Sequence, residues 1–171
     1  MTPDSTPLSR RDWLALVARG AAAVSALALV GGETAAAATT AVASAAAPTP
    51  IMVHKDVSCS CCQKWVAHLS ANGFQPAVRD EADMDAVKKT LGVPSALQSC
   101  HTAVVGGYLV EGHVPAADIR RMLATRPKIV GLAVPGMVTG SPGMEVPGRP
   151  AERYDVVAWD AAGKTQTFAR H

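Results

Sequence analysis

The sequence predicts an α/β fold: a small mixed sheet flanked by helices, followed by a C-terminal Gly/Pro/Met loop and a β-hairpin. Three observations carry that prediction. Short β-prone runs alternate with amphipathic helical segments between residues 48 and 126. A two-glycine turn, Gly106-Gly107, joins two β-rich runs. Past Pro127 the chain turns rich in glycine and proline, then ends in two alternating segments.

The first 47 residues read as an export leader. Ser9-Arg10-Arg11-Asp12-Trp13-Leu14 has the twin-arginine pattern. The apolar run Ala21 to Val30 is about half the roughly 20 residues of a membrane span, so no stable span is expected. Small-residue cleavage sites follow at Ala35-Ala36-Ala37 and Ala43-Ser44-Ala45. Residues 1–47 are thus a twin-arginine signal peptide and Ala-rich linker, and the mature protein is expected in the periplasm, where disulfides persist.

The mature elements follow in order. Ile51 to His54 is a strand and Lys55 to Ser58 a loop. A helix follows the cysteines, with Trp65, Val66 and Leu69 on one face and Asn72-Gly73 at its end. Phe74 to Arg79 is a second strand. Asp83 to Leu91 is a short helix, with Met84, Val87 and Leu91 on one side and Gly92 as its stop. The hairpin joins Thr102–Val105 to Tyr108–Glu111. A third helix runs from Pro115 to Thr125, carrying Ile119, Met122 and Leu123. Residues 48–126 therefore read β-α-β-α-β-β-α, the thioredoxin/glutaredoxin order. Residues 127–171 form an extension packed on the same domain: a long loop over Ile129 to Pro150, then strands at Tyr154–Trp159 and Thr165–Phe168. A loop of that length reads as functional.

Composition narrows the function. Sixteen Lys+Arg against fourteen Asp+Glu leave a net charge of +2, without the basic stripe of a nucleic-acid binder. The four cysteines are the informative residues. Cys59, Cys61 and Cys62 fall within four positions where a strand meets a helix, and there the free N–H groups and helix dipole favour a thiolate. Cys100 lies two residues before the hairpin, in the loop that a thioredoxin-like topology turns toward that helix start.

Three chemistries compete for these thiols. A dithiol oxidoreductase needs only Cys59 and Cys62. A structural zinc site usually takes two separate C-x-x-C knuckles, which adjacent Cys61 and Cys62 do not supply. A Cu(I) site, including a polynuclear thiolate cluster, uses cysteines pointing in different directions, and four thiolates balance four Cu(I) charges. His101 adjoins Cys100 and is a candidate ligand. His54 is a weaker one, His68 reads as a surface or half-buried residue about 10 Å along the helix from Cys61, and His113 reads as structural. Met52, Met84 and Met122 fit core stripes. Met137 and Met144 sit on Gly/Pro-rich loop where no helix face calls for them, and thioethers suit Cu(I). The candidate metal ligands are Cys59, Cys61, Cys62, Cys100, His101, Met137 and Met144, with copper ions as the cargo and a copper-handling or redox protein as the partner.

Six ordered motifs carry a resemblance across essentially the whole mature chain. They are Cys59-x-Cys61-Cys62-x-Lys64-Trp65, Leu91-Gly92-Val93-Pro94, Ser99-Cys100-His101-Thr102-Ala103 and Glu111-Gly112-His113-Val114-Pro115-Ala116. Gly131-Leu132-Ala133-Val134-Pro135-Gly136-Met137 and Gly140-Ser141-Pro142-Gly143-Met144 complete the set. The chain resembles the CopG-type periplasmic copper-resistance proteins, formerly catalogued as a domain of unknown function. The resemblance implies a thioredoxin-like fold, copper held through cysteines, and a role in copper redox interconversion. It places Cys59, Cys61, Cys62 and Cys100 on the motif cysteines, and Met137, Met144, His101 and His113 on further motif positions. Ser60 stands where glycine is usual, and His54 where an aromatic is common.

Overall fold

The computed structural model of the chain describes residues 47–171. Arg10, Arg11, the apolar run and both cleavage sites lie outside the described residues.

The first strand, β1 (Thr49–Asp56), leads into helix α1 (Ser60–Ala71), which returns to β2 (Phe74–Glu81). The strands β1 and β2 pair in parallel, Val53 opposite Val78, as a strand–helix–strand crossover requires. Next come α2 (Met84–Leu91), a 3-10 turn (Ser95–Leu97), β3 (His101–Val105) and β4 (Tyr108–Glu111), then α3 (Ala116–Thr125). β3 runs antiparallel to both β1 and β4. Strands β5 (Gly131–Ala133), β6 (Asp155–Trp159) and β7 (Thr165–Arg170) complete one seven-stranded sheet, in the order β2-β1-β3-β4-β5-β6-β7. The mixed α/β architecture is the one the sequence predicts.

The central strands β3, β4 and β5 are buried on both faces, the outer strands β2 and β7 largely exposed. Trp65 and Leu69 of α1 and Ile119 and Met122 of α3 pack with Val53, Ala103, Val110 and Leu132 in the larger cluster. Val93, Leu97, Leu109 and Trp159 form a second one, under the segment that follows α2. Helix α1 buries Cys62, Trp65 and Leu69, spaced for one face. The Asp83 side chain caps α2 by accepting the Ala86 N–H at 2.9 Å.

Several local expectations are corrected. Lys55 and Asp56, expected in a loop, continue β1, because Lys55 is buried with its ammonium 2.7 Å from Asp80. The expected loop from Ile129 contains β5. Gly131, Leu132 and Ala133 are all buried between β4 and β6, so the run lacks the alternation by which a half-exposed strand is recognised. Met52 faces away from the core and is 38% exposed. Met84, Val87 and Leu91 are only half-buried, and the fully buried residue of α2 is Lys88. Met122 lies in the core as expected.

Candidate metal centre

β1 ends where Asp56 turns the chain: its carboxylate accepts the Ser58 N–H at 2.7 Å and the Ser58 hydroxyl at 2.5 Å. This places Cys59 at the N-cap of α1, its sulfur accepting the Cys62 N–H at 3.3 Å. Cys59 and Cys62 are joined as a disulfide, with Cα atoms 5.4 Å apart. One helical turn brings a C-x-x-C pair within bonding range. Cys61 and Cys100 are free thiols, so the four cysteines stand in this structure as one disulfide and two thiols.

The four sulfurs still converge. The Cys61 sulfur is 3.5 Å from Cys59 and 3.9 Å from Cys100, and all four lie within 4.8 Å of one another. Cys100 reaches them from the loop entering β3. The same sulfur meets two imidazoles: His101 Nδ1 at 3.2 Å and His113 Nε2 at 3.1 Å. His113 Nδ1 donates to the Pro142 carbonyl at 2.8 Å, which leaves its Nε2 lone pair facing Cys100. Cys100, His101 and His113 thus form a second group of metal-ligand geometry that shares one thiol with the first.

Burial sets the electrostatics. It pushes the Cys100 thiol up to about 12, with the neighbouring Cys61 adding to the rise. His101, fully buried against the Trp65 ring at 4.3 Å, is held well below the usual imidazole range by desolvation and then by His113 and Lys88. His113 is lowered chiefly by burial. At neutral pH the site therefore presents a protonated thiol between two neutral imidazoles, and a soft cation entering it displaces the thiol proton. His101 Nε2 is buried without a hydrogen-bond partner.

The C-terminal loop closes the site from above. Gly143 sits on the first turns of α1 at φ +86: a Cβ there would lie 2.8 Å from the Trp65 nitrogen and 2.9 Å from the Cys61 carbonyl oxygen, so only glycine fits. Met144 follows it, half-buried, with its N–H bonded to the Ser141 carbonyl at 2.8 Å. Met137 is 61% exposed on the loop after β5. His54 points elsewhere and pairs with Glu81 at 2.7 Å. His68 is structural: its Nε2 accepts the Ala116 N–H at the start of α3, at 3.2 Å.

His113, read from the sequence as structural, belongs to the site. A signal for it was available. Thr102 pairs with Glu111 across the hairpin. Two further steps outward in the same register set Cys100 opposite His113.

Fold and site together define a mixed α/β protein with a sulfur-rich candidate metal centre at a helix N-terminus. A family model described as "Protein of unknown function, DUF411" matches residues 97–144, the stretch that holds Cys100, His101, His113, Met137 and Met144. Two solved structures, titled "Copper resistance protein copG", Form 2 and Form 1, are each 51% identical to this chain. Each match covers 72% of this chain and 98% of that structure, with TM-scores of 0.69 and 0.68. No curated protein matches the chain. The chain belongs to the CopG copper resistance protein family.

Proposed function

We propose that this is an exported copper-binding protein that holds Cu(I) on its cysteine cluster and confers copper resistance by sequestration, with Cu(I)/Cu(II) interconversion as a further role. The observation that carries this reading is the convergence of four sulfurs within 4.8 Å, with two neutral imidazoles on one of them. Thiolate sulfur is the soft donor that selects Cu(I), and imidazole is compatible with either oxidation state. The family supports copper as the cargo. Met137 and Met144, neutral thioethers on the loop that covers the site, supply an edge for entry or exit. A thioredoxin-like arrangement of residues 48–126 is supported by the parallel β1–β2 pair and the antiparallel β3–β4 pair around it.

The test is anaerobic loading of the reduced protein followed by elemental analysis. Cys100→Ser is expected to lose most of the bound Cu(I) while keeping its far-UV spectrum, and undiminished binding removes Cys100 from the site. Export through the twin-arginine route is tested by replacing Arg10 and Arg11 with lysine, which should leave precursor in the cytoplasm. Among the described residues no helix is long and apolar enough to cross a membrane.

A second reading has its own observation. The Cys59–Cys62 disulfide at the start of α1 has the placement of a thiol–disulfide oxidoreductase. Catalysed reduction of a protein disulfide that needs Cys59 and Cys62, yet survives Cys100→Ser, would favour it.

A further inference from the structure

Two buried charges stand apart from the sulfur cluster. Glu111 is 0% exposed and Lys88 3%, and among the described residues neither side chain hydrogen-bonds to a cysteine sulfur. The Glu111 carboxylate is fully engaged. Oε1 accepts the Lys88 ammonium at 2.5 Å and the Ser99 backbone N–H at 2.6 Å, and Oε2 accepts the Thr102 hydroxyl at 2.5 Å. Lys88 also donates to Thr102 Oγ1 at 3.1 Å. Ser99 and Thr102 are the residues on either side of Cys100-His101.

The same carboxylate lies at the end of β4, two residues before His113. Between them Gly112, at φ +70, donates its N–H to the His101 carbonyl at 2.9 Å. A Cβ at Gly112 would sit 2.6 Å from the Ser99 side chain and from the Val134 carbonyl. Strand end and cysteine loop are thus locked together at backbone distance. The Ser99 hydroxyl adds a bond to the Gly136 carbonyl, tying in the methionine loop.

We propose that Glu111, held by Lys88, is the positioning residue of the metal centre: it grips the chain on both sides of Cys100-His101 and sets the Cys100 sulfur against His113 and the α1 cysteines. This rests on the copper-binding reading of the cluster. A buried ion pair is weak as a stabilising device, and replacing both partners with apolar groups is often neutral or better for stability. Its bonds here run to the two residues that flank the ligands. Groups that orient metal ligands commonly shift affinity about 10- to 100-fold when removed. Shape and acceptor placement matter to this role more than charge. The amide of E111Q keeps an oxygen for the Ser99 N–H, and its NH2 can donate to Thr102 Oγ1.

The test compares four forms: the reduced chain, K88M/E111L, K88M/E111Q and C100S. Far-UV circular dichroism and thermal unfolding without metal establish that each is folded. Cu(I) affinity is then measured anaerobically against bathocuproine disulfonate, with the sulfur-to-copper charge-transfer bands recorded. K88M/E111L is expected to lose affinity about 10- to 100-fold and to show shifted bands. K88M/E111Q should recover most of both, a rescue that general loss of stability does not produce. Should K88M/E111L fail to fold, T102V carries the test: it removes the hydroxyl's bonds to Glu111 and from Lys88, with an expected loss of about 2- to 10-fold for each. Unchanged affinity and bands in K88M/E111L, no rescue by the amide, or an unaffected T102V overturns the proposal. If the parent binds Cu(I) and C100S does not, that failure is the clamp's alone. A parent that binds no Cu(I), or a C100S that binds as well as the parent, overturns the copper reading and the clamp together.

Discussion

The Cys100 thiol provides the most direct quantitative check on the site. In the metal-free protein it is pushed up to about 12 from an ordinary 9.0, chiefly by burial and then by Cys61. At pH 8 its thiolate is then roughly a thousandfold scarcer than that of an unperturbed thiol. A more basic thiolate is also more nucleophilic. A Brønsted slope of about 0.4–0.5 over three pKa units returns about 15- to 30-fold. Alkylation of Cys100 by iodoacetamide should therefore run about 30- to 60-fold slower than in the unfolded chain. Tryptic cleavage isolates Cys100 on the segment from Thr90 to Arg120, apart from the other cysteines, so mass spectrometry reads it alone. The rate should still rise about tenfold per pH unit at pH 10, where an ordinary thiol has levelled off. Levelling near pH 9, or a rate at pH 8 equal to that of the unfolded chain, would refute the desolvated site. The sign for stability follows from the same shift. The folded thiol keeps its proton when the unfolded one loses it, so this contribution is full below pH 9.0 and is lost as pH rises from about 9 to about 12. The melting temperature of the metal-free protein with Cys59–Cys62 oxidised should fall across that window, and Cys100→Ser should flatten the fall.

Three further outcomes are expected. Protein kept oxidised at Cys59–Cys62 offers two free thiols, so anaerobic reduction before loading should raise Cu(I) stoichiometry, as measured by elemental analysis; equal loading in both states would exclude Cys59 and Cys62 as ligands. Met137→Leu/Met144→Leu keeps apolar volume at modest cost and should leave the metal-free melting temperature in place while changing the rate of Cu(I) transfer to a chelator; an unchanged rate makes both methionines packing groups. Gly143→Ala forces a Cβ onto the Cys61 carbonyl and Trp65 nitrogen at φ +86, and should lower stability by about 1–2 kcal/mol in denaturant unfolding and weaken Cu(I) binding as the loop lifts; wild-type stability would show that the loop does not clasp α1.

The sequence by itself determined much of this protein. Period-2 and period-3.6 patterns placed β1, α1, α3 and the terminal hairpin within a few residues, and the Gly106-Gly107 turn placed the β3–β4 hairpin, whose strands are buried on both faces. Clustering of Cys59, Cys61 and Cys62, together with the hairpin entry at Cys100, located the sulfur site. The tertiary structure decided what has no one-dimensional period. β5 is buried on both faces by β4 and β6, so Gly131-Leu132-Ala133 shows no alternation. Lys88 occupies the one fully buried position of amphipathic α2 because Glu111, twenty-three residues away, lies across from it. His113 entered the site through the hairpin register and the Pro142 carbonyl, contacts set by pairing and loop closure rather than by neighbours in sequence. Burial, which raises the Cys100 thiol and keeps both imidazoles neutral, exists only once the sheet, α1 and the methionine loop have closed around that sulfur.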